Sequence, residues 1–351
     1  MENDSSGSRI SPSSSTISWY DIPLSGEDVL AGLSLIILGI FFMILYFVVA
    51  RAMFRHDREV IGFRFLFSTA ISDMLLLVNY SIWPGITILV KSEIITPAMR
   101  HWFQMYMDWV WFSMCYHYMI VAWSRFAAIR SPLSFRSQSR RASYLLCGAC
   151  YFIALIQVLC THFQPWYVTF YYEPSAYGML SEDFNKYMTE GQSIMFLSFH
   201  ILMVIIPFYF YVRAIILLLQ HRQNSMNGQS GLDSSVESRL IIPCICNTFV
   251  FIVGQVVITI GTGEGRWATY MVLLLFSANS AVNPVLLLLF SPTIRRKVME
   301  QLHGSHLSKL RKYTPAPLLR ETPRSLAEMG GRREDSLQPS SESDIRGPAS
   351  C

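Results

Sequence analysis

Charge is what this sequence has least of. Only 15% of its 351 residues are charged, where a soluble globular chain carries about 25%. The deficit argues against a surface wholly surrounded by water. Cysteine is sparse too. Of the seven, six (Cys115, Cys147, Cys150, Cys160, Cys244 and Cys246) fall in apolar stretches, where they serve most simply as small apolar residues. No pair lies between those stretches, so a disulfide-stapled framework is not expected. Cys351 has no residues after it to make a prenylation box. Met1–Ser25 is Ser-rich and lacks an apolar core, so no cleavable signal peptide is expected there. Histidine in the apolar stretches is limited to His117 and His200. That is too few to supply the roughly four ligands of a zinc hydrolase within the membrane. Internal repeats are absent, which argues against a transporter of the paired-repeat kind. These two classes remain the alternatives to the reading below. No cofactor, no metal, no enzymatic activity and no nucleic-acid partner are expected.

What the sequence has is long apolar runs, and a bilayer takes about 20 such residues per helix. The first, Val29–Ala50, carries no charge. Six more follow at Phe65–Val90, Trp102–Trp123, Ala142–Thr161, Gln192–Leu219, Leu240–Gly261 and Trp267–Phe290. The pattern predicts an all-α membrane protein with a seven-helix bundle. Arginine and lysine crowd one set of connections, including Arg51, Arg55, Arg58, Arg64, Arg136, Arg140, Arg141, Arg295, Arg296 and Lys297. The positive-inside rule then places those connections and the C-terminus in the cytoplasm, and the N-terminus outside the cell membrane. Residues 1–27 read as a disordered outer segment, 28–303 as the bundle with a short amphipathic helix at 292–303, and 304–351 as a disordered tail. Asn3-Asp4-Ser5 is a glycosylation sequon on the expected outside. Asn79-Tyr80-Ser81 matches as well but falls inside a span. The tail offers Ser325, Ser336, Ser340, Ser341 and Ser343 as phosphate acceptors, or is simply solvated.

Polar residues inside the spans come next. A charge at mid-bilayer costs about 2.5–3.5 kcal/mol on insertion scales, so one that persists has a partner or a task. Asp73 sits in "FSTAISDMLLL". Asn279 and Asn283, four apart in "FSANSAVNPVLLLLFSP", share one helix face. Pro284 removes a backbone hydrogen bond beside them. The group reads as a switch, or as glue between helices worth about 0.6–2 kcal/mol per bond. Nearer the outer end, Asp108 precedes Trp111, Phe112 and Cys115 at helical spacing. A carboxylate above an aromatic stripe suits an amine cation or a hydrogen-bond donor, with Trp111 open to cation–π contact. Asp108 has the alternative of pairing with Arg100 or Lys91. His200 and Gln255 can reach the same cavity or be packing residues. The segment "FQPWYVTFYYEPSAYGML" is aromatic enough to lid it.

Ser124-Arg125-Phe126, followed by Ala128, Ile129 and Pro132, resembles the Asp/Glu-Arg-Tyr signature of rhodopsin-like G-protein-coupled receptors. "NSAVNP" at Asn279–Pro284 resembles that family's seventh-helix motif, "AISD" at Ala70–Asp73 its second-helix motif, and "SPTIRRKV" at Ser291–Val298 the helix that follows. The departures are Ser124 for the acid, Leu287 for a tyrosine, Arg100 and Trp102 at the usual disulfide position, and no tryptophan in the fourth span. The sixth span lacks a Trp-x-Pro hinge, Gly254 being its nearest helix breaker. The overall look is similar to nematode serpentine chemoreceptors of the srx or srv type. The resemblance implies that an extracellular small molecule or peptide drives activation of a heterotrimeric G protein, and that arrestin meets a phosphorylated tail. It implies that Arg125 meets the G protein, with Ile129, Pro132 and Leu133 as its apolar surround. It also implies a sodium site at Asp73, Asn279 and Asn283, incomplete here because Met114 rather than Ser113 can face inward.

Overall fold

The computed structural model describes residues 18–226, 241–260 and 265–313, leaving aside the side chains at 221, 222, 224–226, 255–260 and 303–313. Seven helices build the bundle, each on one of the apolar runs. The first is α1 (Gly26–Arg55), started by a capping box in which Ser25 and Asp28 satisfy each other's backbone N–H.

The second span is three consecutive pieces: α2 (Gly62–Leu77), a π-helical turn (Val78–Ile82) and α3 (Trp83–Val90). Pro84 lies just after the π turn. It has no N–H to offer the carbonyl four residues back, on Tyr80. The Ser277 hydroxyl donates to that carbonyl instead, at 2.8 Å, and so binds the second span to the seventh.

The third span is α4 (Arg100–Arg130), followed by the short α5 (Pro132–Arg136). Then come α6 (Arg140–His162), α7 (Phe184–Thr189), α8 (Gln192–Met226), α9 (Ile241–Ile260) and α10 (Arg266–Phe290). α11 (Pro292–Tyr313) ends the described chain and runs ten residues past the expected stop at 303. The bundle lies within Met1–Ser305.

Five of the seven spans are long and apolar enough to cross a bilayer on composition alone, and α4 is not among them. It is the hub, packed on α8, α6 and α2. Its polar residues Gln104, Asp108, Ser113, His117, Ser124 and Arg125 are all buried. A helix surrounded by protein meets little lipid and can hold such groups. α6, by contrast, turns Leu145, Phe152 and Ile153 outward.

α1 and α3 cross with their backbones nearly touching. A Cβ on Gly85 would lie 2.7 Å from the Gly32 carbonyl oxygen. Small residues at such crossings are what helix packing in lipid favours.

The all-α expectation needs one amendment. Between α6 and α7 the chain forms an antiparallel hairpin, β1 (Phe170–Glu173) with β2 (Gly178–Ser181), in register Phe170↔Ser181. Residues 18–25, expected to lack structure, are ordered too: Trp19–Asp21 is a 3-10 turn. Its Tyr20 hydroxyl reaches Glu173 of β1 at 2.6 Å.

Candidate functional site

Three groups of side chains stand out along the bundle. In its middle, Asp73 is fully buried. Asn283 donates to its Oδ2 at 3.0 Å, and the Tyr46 hydroxyl of α1 lies 2.8 Å from the same oxygen. Tyr46 also reaches the carbonyl of Ser280. That carbonyl is four residues before Pro284, whose missing N–H leaves it free. A phenol has one hydrogen to give, so Tyr46 divides it between the carboxylate and the loosened turn of α10. Helices α1, α2 and α10 thus meet at one oxygen. The contact of Asp73 with Asn283 read from the sequence is present. Asn279 lies on the same face, with its Oδ1 buried and unbonded, as is Asp73 Oδ1.

At the end of the bundle that holds α5, Arg125 is fully buried. One of its interactions is a hydrogen bond to the Gly62 carbonyl at the start of α2, at 3.3 Å. Arg125 thus lies inside the bundle. Ser124 donates back to Val121 on its own helix at 2.7 Å. Ile129, expected on an outer contact surface, packs in the core with Phe126, Val121 and Ala122. Helical spacing explains this, because 122, 125, 126 and 129 share a face. Leu133 is 75% exposed and Pro132 starts α5.

At the hairpin end, Trp111 and Phe112 of α4 pack with α8. Trp111 lies 5.2 Å from the His200 ring, and Phe112 lies 4.9 Å from Phe199 and 6.0 Å from Phe196. Three expected ligand residues, Trp111, Phe112 and His200, are thus brought together. Gln255 is on α9, with its side chain outside the described set. Asp108 does not pair with Arg100 or Lys91. Lys91 pairs with Asp28 at 3.3 Å, and Arg100 pairs with Glu93 at 2.8 Å. Asp108 accepts instead from Gln104 at 2.7 Å and from Tyr167 at 2.9 Å, with His162 Nε2 3.3 Å away. Both carboxylate oxygens accept hydrogen bonds from within the protein. Asn3 and the tail serines lie outside the described residues.

The family model for the serpentine type 7TM GPCR chemoreceptor Srt matches residues 20–311. The chain belongs to the Srt serpentine chemoreceptor family. The match is to the Srt type rather than the srx or srv type. Squid rhodopsin shares the fold, with a TM-score of 0.65 at 15% identity over 81% of this chain and 87% of that one. Among curated proteins, none matches. This Srt-family chain is thus a multi-pass membrane receptor of the G-protein-coupled class and not an enzyme.

In this Srt receptor the hairpin end is held without a disulfide among the described residues, where six cysteines are free. The Lys91 ammonium sits 4.2 Å from the Trp19 ring centroid and donates to the carbonyls of Trp19, Ile22 and Pro23. Lys91 itself is left-handed, with φ 51°, at the end of α3. The Arg100 guanidinium lies 3.8 Å from the Tyr171 ring centroid. Gln192 bonds both the N–H and the carbonyl of Val168. Burial pushes the Glu173 carboxyl up, but hydrogen bonds from Ser175 and Tyr20 outweigh it and hold the group below its ordinary value. Burial, together with the carboxylate of Asp28, raises the Tyr177 phenol to about 12. Sequence reasoning missed Tyr46, Gln104, His162 and Tyr167. A phenol in a charge-free span was a signal for Tyr46. Nothing local marked the other three, which matter through contacts made only in the fold.

Proposed function

We propose that this receptor converts binding of an extracellular small molecule or peptide at the hairpin end into activation of a heterotrimeric G protein at the Arg125 end. The observation that carries the reading is Arg125. A cation wholly removed from water is costly, and it stays buried only where the surroundings hold it. Here it sits beside α5, which offers Pro132 and exposed Leu133. The described arrangement is therefore a closed state in which the arginine is withheld. Opening would release it from Gly62 and present it with Leu133 to the G protein.

The positive-inside pattern supports a cytoplasmic Arg125 end and an extracellular hairpin. Trp111, Phe112 and His200, together with Gln255 of α9, form the ligand site, and the aromatic character of the group favours a largely apolar ligand. Asp73, Asn283 and Pro284 act as the switch, because Tyr46 ties the carboxylate to the turn that Pro284 loosens. Asn279 completes that face. Asn3 is the glycosylation site, and the serine-bearing tail recruits arrestin when phosphorylated. The test is nucleotide exchange on purified heterotrimers by receptor in lipid. Arg125→Ala should abolish it at unchanged surface density, whereas full exchange by that variant would remove the coupling role.

A further inference from the structure

The pairing of Asp108 with His162 has a feature that packing alone does not account for. His162 is 3% exposed and ends α6. Its Nδ1 lies 3.1 Å from the Val158 carbonyl oxygen, a group that can only accept. Nδ1 therefore carries a hydrogen. Its Nε2 faces Asp108 Oδ2 at 3.3 Å, off the line of a full hydrogen bond, and has no other partner. In a neutral ring with its hydrogen on Nδ1, Nε2 would present a lone pair to a buried carboxylate. Two acceptors would then face each other, which is an unfavourable arrangement away from water. A second proton on Nε2 removes the conflict and makes an imidazolium–carboxylate pair. The Tyr167 ring, 4.0 Å from the His162 ring centroid, supplies a π-face for that cation.

We propose that His162 and Asp108 form a proton-binding site beneath the hairpin connection, through which external pH sets how firmly that connection is seated. Tyr167 is the link: it stacks on His162, donates to Asp108 and belongs to the connection itself. The other groups around the pair are known. Gln104 donates to Asp108 Oδ1, and Thr161 Oγ1 lies 3.4 Å from His162 Nδ1. The His101 ring is 5.7 Å from that of His162 and has Glu182 within electrostatic reach. Tyr80 and Tyr187 feel the charge of Asp108. His101, the other imidazole at the site, is bonded to Thr169 rather than to a carboxylate.

The sign follows from the pair. The protonated form gains an ion pair and a stacked cation, so the site stabilises the fold at low pH. That contribution is lost as pH rises and the ring gives up its second proton.

The experiment compares thermal midpoints of the purified full-length receptor at about pH 5.5 and about pH 7.5, a span across which imidazoles titrate. The parent should melt several degrees higher at the lower pH. Asp108→Asn should lose most of the parent's pH dependence and keep its stability at the higher pH. Its amide can donate to the neutral Nε2 and to the Tyr167 oxygen, while its carbonyl accepts from Gln104. His162→Gln should lose the pH dependence as well, and His101→Gln should retain it. If His162→Gln does not fold, the Asp108→Asn and His101→Gln variants still decide the matter. A parent midpoint that is flat with pH overturns the proposal. So does a dependence as large as the parent's in Asp108→Asn, or one that disappears in His101→Gln.

Discussion

Exchanging Asp73 and Asn283 probes the joint between the second and seventh spans. In the parent, Asn283 Nδ2 donates to Asp73 Oδ2 at 3.0 Å. Asp73→Asn keeps the shape but turns a charge-assisted bond into a neutral one, a loss of about 1–2 kcal/mol. Asn283→Asp removes the donor and sets a second carboxylate at the same 3.0 Å. Two carboxylates at that separation cannot both stay ionised, so one must take up a proton or the joint must open. The double exchange restores one acid and one amide across the same gap, with Tyr46 still able to donate. Contacting residues couple by about 0.5–3 kcal/mol, so the double variant should be better than the sum of the singles by that much. In a chain of this size each kcal/mol moves the thermal midpoint by roughly 2–4 °C. Midpoints of the four purified receptors, with signalling at matched expression, give the cycle. Effects that add to within about 0.5 kcal/mol would show that the two residues act separately and would refute the switch as described.

Two further outcomes follow from the packing. Gly85→Ala places a methyl group 2.7 Å from the Gly32 carbonyl oxygen, a backbone atom that cannot swing aside. It should cost about 1–3 kcal/mol and lower the yield of folded receptor. A melting curve like the parent's would show that the crossing can widen. A non-permeant reductant should leave the midpoint unchanged, because Lys91, Arg100 and Gln192 hold the hairpin end in place of a bridge. Loss of a disulfide worth about 2–4 kcal/mol would instead lower the midpoint by several degrees.

The spans were legible because each is a continuous apolar run, and a bilayer admits few alternatives to a helix. The pairing of Asp73 with Asn283 was legible because an acid and two amides are rare in such runs, and because Pro284 marks a loosened turn. The direction of Arg125 was not. Charge alone favours the interface, whereas the face shared with Ala122, Phe126 and Ile129 turns it inward, and that face depends on which neighbours α4 meets. The partners of Asp108 were not legible for a similar reason. Its partners Tyr167 and His162 come from 59 and 54 positions away along the chain, and no spacing rule joins them. The order of residues 18–25 rests on Lys91, whose ammonium gathers three backbone carbonyls of that segment. A Ser-rich stretch gives no sign of such a clasp.

The central claim is that this receptor drives nucleotide exchange on a G protein through Arg125. The most direct measurement is guanine-nucleotide exchange by receptor reconstituted in lipid, run against a panel of heterotrimers and a panel of small apolar compounds. The account predicts that at least one heterotrimer is accelerated by the parent, and that Arg125→Ala at equal receptor density slows that exchange tenfold or more, a barrier change of about 1.4 kcal/mol or greater. Exchange at the parental rate in the alanine variant would contradict it.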